Sequence, residues 1–304
     1  MRFDVTILGS NSAIPALQRN PTCQLVNVSD QYYLLDCGEG AQVQMRKYGV
    51  KFQRISCIFV SHLHGDHYFG LIGLLNTMHL LGRKKEISIF SPPGLQEIIE
   101  LQLRSAHGSL RFEINFHTIE LDELHQIHED KYIKVHAVPV QHKITTFGYV
   151  IEEKPKVGNI KKGFIEKYKP SVESILKIKD GFDFYDTSGT LVPRMQIIAE
   201  PTPIRKYAFI TDTKPSASYF EAIRNVNLLY HEATFTQENK KRATETKHST
   251  AQQAAEVALK VGAKKLIIGH FSSRYTHLGP ILEEAKKYFE NTELAEEGRV
   301  FKVE

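Results

Sequence analysis

Four side chains that can bind a metal ion lie close together in the sequence, directly after an apolar run. These side chains are His62, His64, Asp66 and His67. The run at residues 55–60 is short and rich in β-branched and aromatic residues, which predicts a buried strand, and the apolar spacing over residues 68–81 predicts a helix. A loop at the carboxyl end of a strand is where α/β sheets place their chemistry. The cluster therefore predicts a metal site in an α/β fold, because histidines gathered only for packing would gain little.

Three further predicted strands end in a side chain suited to metal or proton chemistry. His142 follows a strand at residues 132–140, Asp212 follows one at 207–210, and His270 follows one at 265–268. Any one of them could be a core residue, but together they suggest strand ends that converge. Zinc binds imidazole and carboxylate readily, and a carboxylate can bridge two ions. We expect two zinc ions per subunit, one on His62, His64 and His142 and one on Asp66, His67 and His270, with Asp212 between them.

The length and cysteine content of the chain limit its class. The chain has 304 residues, a formal charge of +4 and three cysteines. A sparse, odd count without a C-x-x-C pair predicts reduced thiols in a cytoplasmic protein and disfavours a thiolate zinc site. No apolar stretch approaches the ~20 residues of a membrane span, and early charges disfavour a signal peptide. We expect one cytoplasmic domain over residues 1–304, with no membrane partner.

A lysine-rich segment at residues 153–195 differs from the rest of the chain. Residues 154–179 contain eight lysines but only two glutamates, and glycines and prolines interrupt the segment. One interpretation is a solvated, partly disordered loop. The other is an inserted arm that clamps a phosphate backbone, since each neutralised phosphate releases counterions. The candidate contacts are Lys161, Lys162 and Lys177.

Other local patterns carry weaker expectations. Asp36 follows a predicted strand and is expected to serve a turn and to support the metal loop. His125 and His128 lie in an acidic stretch and are expected to be surface residues of a turn. A helix is predicted over residues 249–261, with Ser249 and Gln252 spaced as its capping box.

The H-x-H-x-D-H motif with its three distant partners resembles the metallo-β-lactamase superfamily, and within it the ribonuclease Z family. The resemblance runs nearly end to end. Its most specific segments are His231-Glu232-Ala233-Thr234, His248-Ser249-Thr250 and Gly269-His270-Phe271-Ser272-Ser273-Arg274-Tyr275.

The resemblance implies a four-layer αβ/βα sandwich with an inserted protruding arm, two zinc ions, and a homodimer in which one subunit's arm clamps tRNA at the other's site. It also implies cleavage of precursor tRNA on the 3′ side of the discriminator nucleotide, leaving a 3′-hydroxyl on the tRNA and a 5′-phosphate on the trailer. Two departures from the family pattern stand out. The arm segment at residues 169–177 lacks the usual glycines, and a threonine precedes Asp212 where glycine is frequent.

Five residues have expected roles in the reaction. The resemblance implies that Asp66 is the proton acceptor as well as a ligand. His248 is the candidate proton donor to the leaving ribose oxygen, and Glu232 is expected to orient it. Ser272 and Arg274 are candidates to hold a phosphate, although a surface ion pair would also explain the arginine.

Two other functions fit the same residues. A metal centre with a charge of about +1 suits a phosphodiester but can also polarise a carbonyl, as in a hydrolase of a thioester, lactone or sulfate ester. An RNA-binding protein with a structural metal site is the second alternative. A full ligand set beside a proton donor disfavours it, because structural zinc sites are usually closed.

Overall fold

The computed structural model of the protein describes residues 2–106, 109–155, 158–200 and 203–304. The chain forms two compact units, the first comprising Met1–Glu152 with Arg205–Glu304 and the second comprising Glu153–Ile204. Within the described ranges, no helix is long and apolar enough to cross a membrane.

Strands and helices alternate through much of the chain. The strands are β1 (Phe3–Gly9), β2 (Cys23–Val28), β3 (Gln31–Leu35), β4 (Ile55–Phe59), β5 (Ile87–Ser91), β6 (Ile114–Thr118), β7 (His125–Glu129), β8 (Ile133–Pro139), β9 (Phe147–Glu153), β10 (Phe184–Tyr185), β11 (Leu191–Val192), β12 (Lys206–Ile210), β13 (Leu228–Glu232), β14 (Leu266–Gly269), β15 (Thr292–Leu294) and β16 (Val300–Lys302). The helices are α1 (Ala41–Lys47), α2 (Gly65–Tyr68), α3 (Leu71–Leu80), α4 (Leu95–Ser105), α5 (Lys162–Tyr168), α6 (Val172–Lys179), α7 (Arg194–Ile197), α8 (Lys240–Thr246), α9 (Ala251–Val261) and α10 (Gly279–Lys286).

The first unit is built on two seven-stranded sheets. One has the order β16-β1-β2-β3-β4-β5-β6 and the other has the order β15-β14-β13-β12-β9-β8-β7. Strands β3 to β6 are parallel to one another, and so are β12 to β15. The carboxyl ends of β3 and β4 therefore share one edge of the first sheet, and those of β12, β13 and β14 share one edge of the second.

Side-chain alternation along the strands builds the layers of this unit. In β12, Tyr207 and Phe209 pack into the cluster shared by the two sheets, whereas Ala208 and Ile210 join the cluster that includes the alanines of α9. Helices α1, α3 and α4 pack in the same way on the outer face of the first sheet. Because successive strand residues point to opposite faces, each sheet buries both of its faces. The predicted αβ/βα layering is confirmed.

Helix α9 begins at Ala251, and its N-cap lies one residue later than expected. Thr250, not Ser249, caps the helix: its side chain accepts from the Gln253 amide, and the Gln253 side chain accepts from the Thr250 amide. The predicted box of Ser249 and Gln252 is wrong by one residue. Ser249 instead donates its hydroxyl to the Thr213 carbonyl at 2.6 Å.

The helix predicted over residues 68–81 is two helices, α2 and α3. The break falls at Phe69 and Gly70, where the Gly70 amide donates to the Cys37 carbonyl at 2.9 Å. A Cβ at Gly70 would lie 2.1 Å from the Gly38 carbonyl oxygen. The close approach of these two backbone segments therefore requires glycine, and it anchors the loop of the His62–His67 cluster to the end of β3.

The second unit has a small core of its own. Phe164, Ile178 and Ile197 are buried together, and α5, α6, α7 and the β10–β11 hairpin surround them. Lys161 and Lys162 are exposed at the start of α5. Lys177 on α6 forms an exposed ion pair with Glu173 at 2.8 Å. A buried cluster of this kind favours a folded insertion over a solvated loop.

The expectation that His125 and His128 lie in a surface turn is wrong, because both belong to strand β7. His125 is exposed, but His128 turns inward to pack beside Phe59 and Phe90. The His128 Nε2 atom lies 3.6 Å from Cys57 Sγ and 3.8 Å from Asp130 Oδ2. Burial lowers the pKa of His128, but contacts with Asp130 and Cys57 outweigh it and raise the pKa to about 9.

Replacing His128 with glutamine should destabilise the protein in a pH-dependent way. Because the folded-state pKa of His128 lies above the ordinary ~6.5, the stabilisation is complete below that pH and is lost as the pH rises towards 9. We expect a loss of about 1–3 kcal/mol at pH 6 that shrinks as the pH rises from about 6.5 to 9 and is small above pH 9. Urea unfolding of His128→Gln and of the matched exposed variant His125→Gln measures it. A pH-independent loss would contradict the charge argument.

Candidate metal centre

Left-handed backbone turns aim three buried site residues at the ends of their strands. Asp36 follows β3 with φ 56°, Asp212 follows β12 with φ 46°, and His270 follows β14 with φ 59°. This conformation is uncommon outside glycine and is tolerated best by residues such as asparagine, aspartate and histidine. It turns the side chains of Asp212 and His270 toward each other, and it turns that of Asp36 toward the far side of the His67 ring.

One donor set combines three imidazoles with one oxygen of Asp212. His64 Nδ1 lies 2.9 Å from His62 Nε2 and 3.3 Å from His142 Nε2. The Asp212 Oδ2 atom lies 3.6 Å from His62 Nε2 and 3.8 Å from His142 Nε2. All four donor atoms fall within 4.8 Å of one another.

A second donor set lies on the other side of Asp212. The Asp66 Oδ2 atom is 3.3 Å from His67 Nε2 and 3.4 Å from His270 Nε2. The Asp212 Oδ1 atom is 3.4 Å from His67 Nε2 and 3.1 Å from His270 Nε2. Asp212 therefore directs one oxygen at each set, which is the geometry of a bridging carboxylate. The structure brings together all seven residues expected to bind metal.

The environment of these side chains suits bound cations. The His67 Nε2 atom is buried and has no hydrogen-bond partner among the described residues, although it faces the oxygens of Asp66 and Asp212. Burial alone would raise the pKa of Asp66, but His67 and His270 hold it below its usual range. Burial would likewise lower the pKa of His67, and the surrounding carboxylates raise it instead. A divalent ion bound to this nitrogen would likewise be stabilised by the negative charges of Asp66 and Asp212.

The surroundings of His62, His64 and His142 favour the neutral imidazole that a metal ligand needs. Burial lowers the pKa of His62 and of His64. Burial also lowers the pKa of His142 to about 4, despite the opposing charge of Asp212. Imidazole nitrogens and carboxylate oxygens in this number fit a pair of divalent ions such as zinc.

Hydroxyl groups behind the first sheet's ligands determine which ring nitrogen faces the centre. The Ser61 hydroxyl donates to Asp36 at 2.9 Å, so it accepts from His62 Nδ1 at 3.0 Å. Asp36 also accepts from His67 Nδ1 at 2.6 Å. These bonds place the proton on Nδ1 and leave Nε2 of both rings free for a metal. The expected support of the loop by Asp36 is confirmed as a contact.

Thr234 fixes the ring of the second sheet's ligand His270, a role that the sequence did not predict although Thr234 lies in the His231–Thr234 segment. Its hydroxyl donates to Glu232 at 2.6 Å, so it accepts from His270 Nδ1 at 2.9 Å. The His142 Nδ1 atom lies 3.5 Å from the Lys247 carbonyl, a longer contact in the same sense. A short hydroxyl residue two positions after a strand-end glutamate was the available signal.

The Ala13 amide is a further contact that the sequence did not reveal. It donates to Asp66 Oδ2 at 2.8 Å, and Ala13 itself has a φ of 43°. A backbone donor has no side-chain signature, so only the fold could place it there. It stabilises the ionised form of Asp66.

His248 and Glu232 form the expected pair beside the donor sets. The His248 Nδ1 atom lies 2.9 Å from Glu232 Oε1. The buried Glu232 also accepts from the amides of Thr213 at 2.7 Å and Ser249 at 3.0 Å. Burial lowers the pKa of His248, but Glu232 outweighs it and raises the pKa to about 9. The imidazolium form, which can donate a proton, is therefore favoured.

An open pocket of about 740 Å³ exposes both donor sets to solvent. Ser272 and Arg274 line it together with Lys143 and Arg242. The Arg274 guanidinium donates to Ser272 Oγ at 3.1 Å. It also donates to Asn239 Oδ1 at 3.1 Å and lies over the Phe235 ring at 4.9 Å. These contacts hold a cation in the wall, and no carboxylate in the described part of the chain forms an ion pair with it.

The chain is similar in sequence to known proteins over much or all of its length. The model of a family described as anti-Pycsar protein Apyc1 matches residues 3–157. Ribonuclease Z of Cytophaga hutchinsonii is 43% identical over 304 residues, covering 100% of this chain and 97% of the relative.

Two solved structures share the fold of this chain over nearly its whole length. The short form of human tRNase Z superposes with a TM-score of 0.72 at 26% identity, covering 99% of both chains. A metallo-β-lactamase fold protein of Bacillus subtilis superposes with a TM-score of 0.70 at 17% identity, covering 99% of this chain and 100% of the other, which supports the fold. The seven donor residues and the paired His248 and Glu232 agree with the similarity to ribonuclease Z. Because this similarity extends over the full length of the chain, the protein belongs to the ribonuclease Z family of metallo-β-lactamase fold hydrolases.

Proposed function

We propose that the protein is a zinc-dependent endoribonuclease that cleaves precursor tRNA on the 3′ side of the discriminator nucleotide. The tRNA would keep a 3′-hydroxyl and the trailer a 5′-phosphate. The observation that carries the proposal is the pair of donor sets that share Asp212, placed beside the His248–Glu232 pair. Two divalent ions held by these donor sets, next to a proton donor, would suit hydrolysis of a phosphodiester.

The first donor set is proposed to hold one zinc ion and the second to hold another, with Asp212 between them. When bound, the ions supply Lewis acidity and lower the pKa of water. Asp66 is kept ionised by its neighbours and by the Ala13 amide, so it can receive the proton of the attacking water as well as bind metal.

His248 is proposed to protonate the leaving ribose 3′-oxygen through Nε2. Its Nδ1 is occupied by Glu232, which fixes the tautomer and the ring orientation. Ser272 and Arg274, at the pocket wall, are proposed to hold a phosphate oxygen of the substrate.

Compartment and assembly are further proposals. The three cysteines are free and buried, which is consistent with a reducing, cytoplasmic setting. A homodimer is proposed from the family resemblance, and light scattering of the purified protein tests it.

The decisive assay uses an in vitro transcribed precursor tRNA, with and without a chelator. Cleavage next to the discriminator nucleotide, mapped by sequencing the 3′ end and abolished by chelator, supports the nuclease. Turnover of a thioester, lactone or sulfate ester with intact RNA would support the first alternative instead. RNA binding without turnover of any substrate would support the structural metal site.

Excising the second unit should impair cleavage of precursor tRNA much more than hydrolysis of a small phosphodiester. Strands β9 and β12 pair antiparallel with Lys206 opposite Glu152, so residues 154–204 can be replaced by a two-residue Asn-Gly turn. We expect kcat/KM for precursor tRNA to fall by about 100-fold or more, because the lysine contacts to the backbone are lost. Hydrolysis of bis(p-nitrophenyl) phosphate should change less than about threefold, since the donor sets lie wholly in the first unit.

A charge-only variant provides the matched control for this excision. Glutamine at Lys161, Lys162 and Lys177 should lower the salt dependence of tRNA binding by about one unit of slope for each lysine that contacts phosphate. The same change at the exposed first-unit lysines Lys51, Lys84 and Lys131 should not. Equal losses on tRNA and on the small diester after excision would refute the clamp.

A further inference from the structure

The wall of the metal pocket contains an exposed phenylalanine ring. Phe69 is 61% exposed, and it lines the same pocket as Asp66 and His270. A large apolar side chain left in water beside polar ligands loses the hydrophobic stabilisation that burial would give it. Together with the exposed Ile14 on the same pocket lining, the ring forms an apolar surface of the kind that marks ligand-binding sites.

The backbone on both sides of Phe69 is fixed. The Phe69 amide donates to the Gly65 carbonyl at 2.9 Å, and the next amide, that of Gly70, donates to the Cys37 carbonyl at 2.9 Å. The Gly70–Cys37 bond ties this segment to the residues after β3, at a point where the two backbones lie too close together for a Cβ. The ring is therefore held on the same rigid loop that carries Asp66.

The ring also has a defined seat. A Cβ at Gly65 would lie 2.1 Å from Phe69 Cε2, so the ring packs directly over the glycine backbone. The Tyr68 ring contacts it edge-on, with centroids 5.0 Å apart and planes at 69°. An aromatic ring held in this way loses little conformational entropy when a ligand covers it.

No other described residue of the pocket lining offers an open phenylalanine ring, although the aliphatic side chain of Ile14 is also exposed there. Among the described residues that line the pocket, Phe235 is the other phenylalanine, and it is 5% exposed with Arg274 over its ring. Lys143, Arg242 and Arg274 can attract phosphate but present no open apolar face. Phe69 therefore provides the accessible phenylalanine ring next to the donor sets.

We propose that Phe69 stacks on a nucleobase that flanks the scissile phosphodiester and so positions the RNA over the two donor sets. The proposal rests on the nuclease function proposed above. A base stacks on an aromatic ring whatever its identity, so this contact would accept any discriminator or trailer nucleotide. Phe69 is then a positioning residue that takes no part in proton transfer.

A double-mutant cycle tests the contact. Wild type and Phe69→Ala are compared on precursor tRNA and on substrates that carry an abasic nucleotide at the discriminator or at the first trailer position. We expect Phe69→Ala to lower kcat/KM for the intact RNA by about 5- to 100-fold, the range of one base–aromatic stack. On the substrate whose abasic nucleotide lies at the stacked position, Phe69→Ala should lower kcat/KM by less than about twofold. Phe69→Trp should retain activity on intact RNA.

Leu80→Ala is the matched control, because Leu80 is 80% exposed on the neighbouring helix and lies outside the pocket lining. It should leave kcat/KM unchanged. Undiminished loss on both abasic substrates would overturn the stacking proposal. So would a loss of dimer in Phe69→Ala by light scattering, which would indicate that the ring packs against protein.

A binding measurement separates failure of this proposal from failure of the nuclease function. Precursor tRNA carrying 2-aminopurine at either flanking position is titrated with protein in the presence of chelator, so that no cleavage is required. Stacking predicts fluorescence quenching that Phe69→Ala abolishes and Phe69→Trp restores. Equal quenching by wild type and Phe69→Ala would overturn the stack even if the tRNA is cleaved correctly.

Discussion

Asp212→Ala is expected to abolish cleavage of precursor tRNA and to lower the bound metal at both donor sets. Its two oxygens face different sets, within 3.4 Å of His67 and His270 on one side and 3.6–3.8 Å from His62 and His142 on the other. Removing a residue behind a metal ligand typically costs 10- to 100-fold, so loss of the shared ligand should cost more than about 100-fold in kcat. Cleavage assays and elemental analysis of the purified variant measure the two effects.

Thermal unfolding provides a readout of this variant that does not depend on activity. Metal that binds the folded state alone stabilises it, so added zinc should raise the Tm of the wild type. In Asp212→Ala the increase should be much smaller. Asp122→Asn, an exposed carboxylate change, should behave as wild type in every assay. Full metal content in Asp212→Ala would contradict the bridging role.

His248→Ala is expected to lower kcat by about 10²- to 10⁴-fold, the usual range for a general acid, with metal content unchanged. The reason is that the leaving 3′-oxygen needs a proton, and His248 is held in place for that task by Glu232 at 2.9 Å. A substrate with sulfur at the bridging 3′ position needs no protonation of its leaving group. The loss in His248→Ala should therefore largely disappear on that substrate.

Glu232→Gln and an exposed histidine variant complete this test. Removing the carboxylate takes away the charge that favours the imidazolium, so the alkaline limb of the pH–rate profile should move to lower pH. His277→Ala, at an exposed position, should leave rate and profile unchanged. An unchanged profile in Glu232→Gln would refute the pairing, and an equal loss of His248→Ala on the sulfur substrate would refute proton donation.

Much of the fold followed from local patterns. The apolar runs before His62, Asp212 and His270 became strands β4, β12 and β14, because short β-branched runs buried on both faces have few other stable arrangements. Boundaries were less predictable. Helix α9 is capped by Thr250 because the Ser249 hydroxyl donates to the carbonyl of Thr213, which is far away in sequence. His128 turned inward for the same kind of reason, since Phe59, Phe90 and Asp130 surround it only in the folded chain.

The H-x-H-x-D-H cluster, by itself, determined that this protein has a metal-binding chemistry, because the identity and spacing of ligand side chains are properties of the sequence. The tertiary structure decided how those ligands are used. It placed one Asp212 oxygen toward each donor set, directed the Ala13 amide at Asp66, and fixed the ring tautomers through Ser61 and Thr234. Such contacts join strand ends from two sheets, and their geometry depends on sheet register and on left-handed turns that no local pattern specifies.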